Sequence, residues 1–344
     1  MSSKMQAGRL GVSSPGATTR WRAIDLRAKV VRLGMRRLSW LSPSLAARVM
    51  DRLWFRAPRT HPSAGALACL AAGRRSTLLL QGRPVAVWEW GGQGPCVLLV
   101  HGWGGHGGQL HAFVAPLLAA GLRVVAFDAP AHGASGASTH GRRRVTFLQF
   151  SAALQALAER MGPLAGVIAH SGGCTSVALA MRQGWRAPAR LVFVAPFCEP
   201  AAAIDAFARQ LGVDGGTVAR FSARAERWLG LAWRDLDIAE VPVERNNAKL
   251  LVLHDATDRE VPIAQSQRLV AAWPDAALLT TIGSGHRRIL GQPEMVEAGV
   301  AFLVAGCPST ATQSDRAPGY LPADSRVDLD LAYEAIDRFW QREA

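Results

Sequence analysis

The sequence predicts an α/β fold, a mostly parallel central sheet flanked by helices, and three observations carry that expectation. Short apolar, β-rich runs alternate with helical patterns from residue 76 onward. Several of those runs, such as Cys96-Val97-Leu98-Leu99-Val100, are continuously apolar, as strands buried on both faces must be. Glycine-rich turns follow them, at the carboxyl ends of strands where function gathers in such sheets.

In chain order, residues 1–18 are rich in Ser and Gly and are expected to be disordered. Residues 19–60 predict basic helices: Trp21, Ile24, Ala28, Val31, Met35 and Leu38 recur at spacings of three and four, with Arg22, Lys29, Arg32 and Arg36 to one side. A second helix is expected near Ser44 after Pro43, through Ala47, Met50, Leu53 and Trp54. The main body, 61–307, has strands expected over 84–90, 96–101, 123–128, 166–170, 190–195, 249–254 and 278–282. Helices are expected between them over 109–120, 147–161, 174–182, 262–273 and 293–304. The 52 residues between Pro196 and Lys249 exceed what one crossover helix needs. Helical patterns over 201–210 and 217–233, with Phe197, Phe207, Phe221, Trp228 and Trp233, predict a small helical cap at about 197–245. The tail, 308–344, holds a loop-like stretch and then a helix-like segment over 328–342.

Composition narrows the function classes. With 344 residues, 49% hydrophobic and 19% charged, the chain is neither disordered nor fibrous, and one large domain with extensions or two small ones fit. No apolar run reaches the ~18 residues of a spanning helix, and basic residues interrupt the N-terminal block too often for a secretory signal. The net charge of +13 is uneven: residues 1–60 hold 13 basic residues against only Asp25 and Asp51. Such helices are expected to pack their apolar stripes on the body and leave their arginines in water; peripheral contact with a membrane surface, or an acidic partner, is the functional alternative. Zinc-finger and RNA-recognition signatures are lacking, so no nucleic acid is expected. Cys69, Cys96, Cys174, Cys198 and Cys307 are odd in number and scattered, which predicts a reducing, cytoplasmic setting without a disulfide framework or metal site.

The sharpest motif is Ala169-His170-Ser171-Gly172-Gly173, between an expected strand and an expected helix. A strained turn there lifts a serine oxygen above the sheet edge, and small neighbours let backbones approach. Ala169 stands where a glycine is usual. Upstream, His101-Gly102-Trp103-Gly104-Gly105 ends another strand, where a backbone N–H can face an oxyanion. The N–H groups of Trp103 and Gly172 are the candidate oxyanion hole. A serine nucleophile needs a base and an orienting acid. Only His254 and His286 follow Ser171, and His286, in a glycine-rich loop after the last strand, is the better base. Of Asp255 and Asp258, the first sits closer to the strand end and suits a loop-fixing role, so Asp258 is the expected acid.

These residues resemble the α/β-hydrolase superfamily, whose triad order matches Ser171, Asp258, His286. Residues 128–135, Asp128-Ala129-Pro130-Ala131-His132-Gly133-Ala134-Ser135, are similar to the turn after the strand preceding the nucleophile strand. The resemblance implies an α/β-hydrolase fold and serine-dependent cleavage of a carboxylic ester or thioester of an apolar acyl substrate, with no metal or organic cofactor. Ser171 argues against the dehalogenase and epoxide-hydrolase members, which carry aspartate there. Carbon–carbon bond hydrolysis or acyl transfer by the same triad, and a non-catalytic binding protein, are the alternatives.

Overall fold

The computed structural model describes residues 15–240 and 248–305, with 15–27 as helical backbone. Its strands are β1 (Arg74–Leu80), β2 (Arg83–Trp90), β3 (Cys96–Val100), β4 (Arg123–Phe127), β5 (Leu164–His170), β6 (Arg190–Val194), β7 (Lys249–Asp255) and β8 (Ala276–Thr281). They form one sheet in the order β1-β2-β4-β3-β5-β6-β7-β8. Pairing is antiparallel from β1 to β4 through β2 and parallel from β4 to β8. The helices are α1 (Pro15–Leu41), α2 (Pro43–Trp54), α3 (Ala64–Ala72), α4 (Val114–Ala119), α5 (Phe147–Met161), α6 (Gly172–Arg182), α7 (Pro200–Leu211), α8 (Gly215–Leu229), α9 (Ile263–Ala272), α10 (Gly285–Arg288) and α11 (Pro293–Val304).

The alternation of side chains along the strands builds two apolar layers. Val85, Leu98, Val100, Phe127 and Val167 face Phe150, Leu154, Val177 and Leu269 of α5, α6 and α9. Their neighbours Trp88, Val97, Leu99, Val124 and Ile168 face Leu117 of α4 and Met295 and Leu303 of α11. Both faces are therefore dry, as the continuous apolar runs require.

Three expectations need correction. Strand β1 was not expected: its Arg74-Arg75-Ser76-Thr77 start looks like a loop, yet it is an edge strand, where charged side chains are tolerated. Its hairpin turn places Gln81 and Gly82 at φ of 50° and 72°, the left-handed pair that matches strand twist. The helix expected over 109–120 is a 3-10 turn at His111–Phe113 followed by the short α4. Pro116 lacks an N–H and falls in the first turn of α4, whereas in a helix from 109 it would break the interior. Finally, α1 begins at Pro15, so residues 15–18 are helical, with proline's fixed φ suited to a first turn. The remainder of the expected disordered segment, part of the 197–245 insertion and the 328–342 helix lie outside the described residues.

Long-range contacts join the N-terminal helices to the β6–β7 insertion. Met35 of α1 and Met50 of α2 share a core with Ile204, Phe207 and Leu211 of α7, Phe221 of α8, and Trp233. The Trp54 ring meets Phe207, Phe221 and Trp233 edge-on at 5.4, 6.1 and 5.8 Å. The Ser39 hydroxyl donates to Asp214 at 2.8 Å, and Asp214 caps α8 by accepting the Thr217 N–H at 2.7 Å. Arg144, in the loop before α5, pairs with buried Asp51 of α2 at 2.7 Å and lies 4.0 Å over the Trp228 ring of α8. Helices α1, α2, α7 and α8 thus form one layer. At its root, Gln265 of α9 accepts the Cys198 N–H at 2.8 Å, and Arg268 pairs with Glu199 and Asp237.

Candidate active site

Strand β5 ends at His170, and the chain turns sharply at Ser171 into α6. Ser171 adopts φ 50° and ψ −122°, a conformation costly for a residue with a Cβ. Its backbone is held on both sides: its N–H donates to Val194 O at 3.0 Å, and its carbonyl accepts the Phe197 N–H at 3.3 Å and the Cys174 N–H at 2.9 Å. Strand β6 and the start of the helical insertion therefore impose the turn. The approach of β3 demands small residues here. A Cβ on Gly173 would lie 2.5 Å from His101 O, and one on Gly102 would lie 2.8 Å from His170 Nδ1 and 3.2 Å from the Ser171 Cβ.

The glycine-rich loop after β3 is positioned by buried neutral histidines. His101 Nε2 accepts the Ala129 N–H at 3.0 Å while its Nδ1–H donates to Gly102 O at 2.7 Å. His132 Nε2 accepts the Gly104 N–H at 3.0 Å, and its Nδ1–H donates to Pro130 O. Burial pushes His132 down to about 4 and His101 well below the usual range, which keeps both as acceptors. Asp128 links the loops after β3 and β4, accepting N–H groups from Gly107 and Ala134. The outcome brings the Trp103 nitrogen to 3.4 Å from where a Gly172 Cβ would stand, so the two candidate oxyanion donors are neighbours.

On the acid side, Asp255 and Asp258 divide the work. Asp255 accepts from the Thr257 N–H and hydroxyl, the Thr281 hydroxyl and the Ser284 N–H, stitching the loops after β7 and β8 together. Asp258, its side chain fully buried, accepts the Glu260 and Val261 N–H groups on Oδ1 at 2.8 and 3.0 Å. Its Oδ2 accepts from His286 Nδ1 at 2.7 Å. Burial raises the Asp258 pKa, but hydrogen bonds from His254, His286 and Val261 overcome it and hold the group as a carboxylate. For His286, burial opposes the charged form, and the charge of Glu260 followed by the hydrogen bond and charge of Asp258 outweigh it, raising the pKa. His170 Nε2–H donates to the His286 carbonyl at 3.0 Å, and the two rings are 4.7 Å apart. The His286 backbone is thereby tied to the strand end that carries Ser171. Asp258 and His286 are hydrogen-bonded, whereas no hydrogen bond joins the Ser171 hydroxyl to His286 among the described contacts.

Two groups here were given no role from sequence. His254, completely buried, places Nε2 3.3 Å from Asp258 Oδ2 and 3.0 Å from Val261 O, with Nδ1 on the Ser266 hydroxyl. Glu260 lies 4.0 Å from His286 Nε2 and pairs with Arg287 at 3.0 Å. The spacing Asp258-x-Glu260, which brings both side chains of one loop toward His286, was the available signal. Aromatic rings wall the turn: Phe147 packs edge-on to Trp103 at 5.1 Å and lies 6.3 Å from Phe197, and its Cε1 would meet a Gly172 Cβ at 3.0 Å. Among the described residues, no cluster of three His, Cys, Asp or Glu side chains could hold a metal.

A family model described as the alpha/beta hydrolase family matches residues 97–298. Pimeloyl-[acyl-carrier protein] methyl ester esterase of Methylococcus capsulatus is 51% identical over 47 residues, a match spanning 14% of this chain and 18% of that protein. Among solved structures, a bacterial membrane phospholipase A superposes with a TM-score of 0.54 at 17% identity, covering 84% of this chain and 99% of the other. That overlap is wider than residues 61–307 alone. Est1E of Butyrivibrio proteoclasticus, solved with ferulic acid bound, gives 0.51 at 18% identity over 67% of this chain and 98% of its own. A bromoperoxidase from Bacillus anthracis gives 0.51 at 19% over 67% and 99%. At these identities the structural likenesses speak to fold.

Proposed function

Since the chain belongs to the alpha/beta hydrolase family, we propose that it is a serine hydrolase that cleaves carboxylic ester or thioester bonds of an apolar acyl substrate. The observation that carries this reading is Ser171, a non-glycine residue held at φ 50° between a strand and a helix by backbone bonds from β6 and the loop after it. Strain of that kind persists only where the surroundings over-determine it, and here it sets a half-buried serine at the carboxyl edge of the sheet.

In the mechanism, His286 Nε2 takes the Ser171 proton as the hydroxyl oxygen attacks the substrate carbonyl. Asp258 fixes the imidazole through Nδ1 and favours the imidazolium that forms. The Trp103 and Gly172 N–H groups receive the oxyanion of the tetrahedral intermediate. His286 then protonates the leaving oxygen or sulfur, an acyl-enzyme remains on Ser171, and a water activated by His286 releases the acid. The Trp103, Phe147 and Phe197 rings beside the turn suit an apolar acyl chain. The α7–α8 layer, rooted at the Phe197–Glu199 stem, is read as the cap over that chain.

A fluorophosphonate probe tests the proposal. Wild type is expected to label covalently and Ser171→Ala not at all, and a folded wild-type protein that stays unlabelled refutes it. Products from a panel of acyl donors and acceptors distinguish hydrolysis from transfer.

A further inference from the structure

Helix α1 carries two apolar stripes, of which one packs and one does not. Met35 and Ser39 face the layer, buried against α2, α7 and α8. On the opposite side, one and three turns apart, lie Val30, Leu33, Trp40 and Leu41, with exposures of 61, 49, 81 and 71%. Exposed Arg37 sits within this stripe, and exposed Lys29 and Arg36 border it. The pattern continues past the Ser42-Pro43 corner, where Leu45, Arg48 and Arg52 form the exposed side of α2.

We propose that this outer face of α1 and the α1–α2 corner docks on the surface of an anionic lipid bilayer. An apolar stripe holding a tryptophan, flanked by arginines, is the composition that lies in a headgroup layer: the aromatic ring takes the interface and the guanidinium groups take the lipid phosphates. Charge selects this occupant over a second copy of the chain, because self-association would bring Arg36, Arg37 and Arg48 against their own equivalents. No described helix is long and apolar enough to cross a membrane, so the contact is peripheral. Docking sets the protein's orientation, because α1 packs on α7, and α7 follows the Phe197 stem bonded to Ser171. The docked helix thus belongs to the same layer that is rooted at the Phe197 stem.

The test is co-sedimentation of the full chain with sucrose-loaded vesicles of phosphatidylcholine alone or mixed with phosphatidylglycerol. The wild type is expected to bind the mixed vesicles at least tenfold more tightly than the neutral ones, with binding that weakens as salt rises. Arg36→Gln and Arg37→Gln are each expected to weaken it roughly fivefold, and the double variant Trp40→Ser/Leu41→Ser about tenfold or more. All four positions are exposed, so unchanged melting temperatures are expected. Undiminished binding by Trp40→Ser/Leu41→Ser overturns the proposal. So does an absence of vesicle binding in the wild type, whether a second copy or the acidic 308–344 tail covers the face.

Discussion

Adding one methyl group at Gly173 examines the packing argument at its tightest point. The glycine is the second residue of α6, and the new Cβ would lie 2.5 Å from the His101 carbonyl oxygen and 2.8 Å from that of Val100. Ordinary contact begins at 3.4 Å, so α6 and the end of β3 must separate by about 0.9 Å. Backbone on both sides leaves no rotamer that could absorb the strain. Overpacking of this size costs about 1–3 kcal/mol of stability. The functional cost is larger, because the gap opens between the two N–H groups proposed to receive the oxyanion: Gly172 lies on α6 and Trp103 on the loop after β3. Misplacement by about 1 Å is worth roughly 100-fold in rate. Gly173→Ala is therefore expected to label with the fluorophosphonate about 100-fold more slowly than wild type while keeping its circular dichroism, with a melting temperature lower by several degrees. Labelling within about threefold of wild type would show that the approach of α6 to β3 does not set the oxyanion geometry.

Other expectations follow from the same contacts. Glu260→Gln removes the carboxylate that favours protonated His286, among facing groups that also include Asp258, His170 and Arg287. The base then loses its proton at lower pH, and the acidic limb of kcat/KM moves down; a limb that stays or rises contradicts the sign. Asp258→Asn is expected to lower kcat about 10³–10⁴-fold, measured on p-nitrophenyl esters of graded chain length, and a loss below tenfold would remove Asp258 from the triad. Arg144→Leu strands the buried Asp51 charge and forfeits the Trp228 contact, a loss of about 3–5 kcal/mol by urea denaturation. A loss under about 1 kcal/mol would mean that the pair does not anchor the layer to the body.

What the sequence disclosed depended on how local the signal was. The parallel strands announce themselves because burial on both faces forces continuous apolar runs, and Ser171 does because a strained turn tolerates only small neighbours. Distance to the strand end alone separated Asp255, which bonds the Thr281 hydroxyl and the Ser284 N–H, from Asp258, which bonds His286. Contacts between distant segments left no such trace. Nothing near Ser39 shows that it will bond Asp214, and His254 looks like a strand residue until Asp258 folds back onto it four positions later. Glu260 carried no sign of a role in the sequence, because only the third dimension sets it 4.0 Å from His286 Nε2. In α1, the Met35 stripe hid a second one, since the eye reads a single period and α1 carries apolar residues on two sides.

The shared core of the helical layer also has a timetable. Ser39 and Asp214 are 175 residues apart, and ribosomes extend chains at roughly 5–20 residues per second. During synthesis, α1 and α2 therefore wait on the order of 9–35 s before α7 and α8 exist to cover Met35, Met50 and Phe55. Through that interval the nascent chain displays a basic, apolar helical hairpin with no intramolecular partner for its inner face. That exposed inner face, uncovered until the 200–229 helices emerge, is the segment most open to non-native contacts during synthesis.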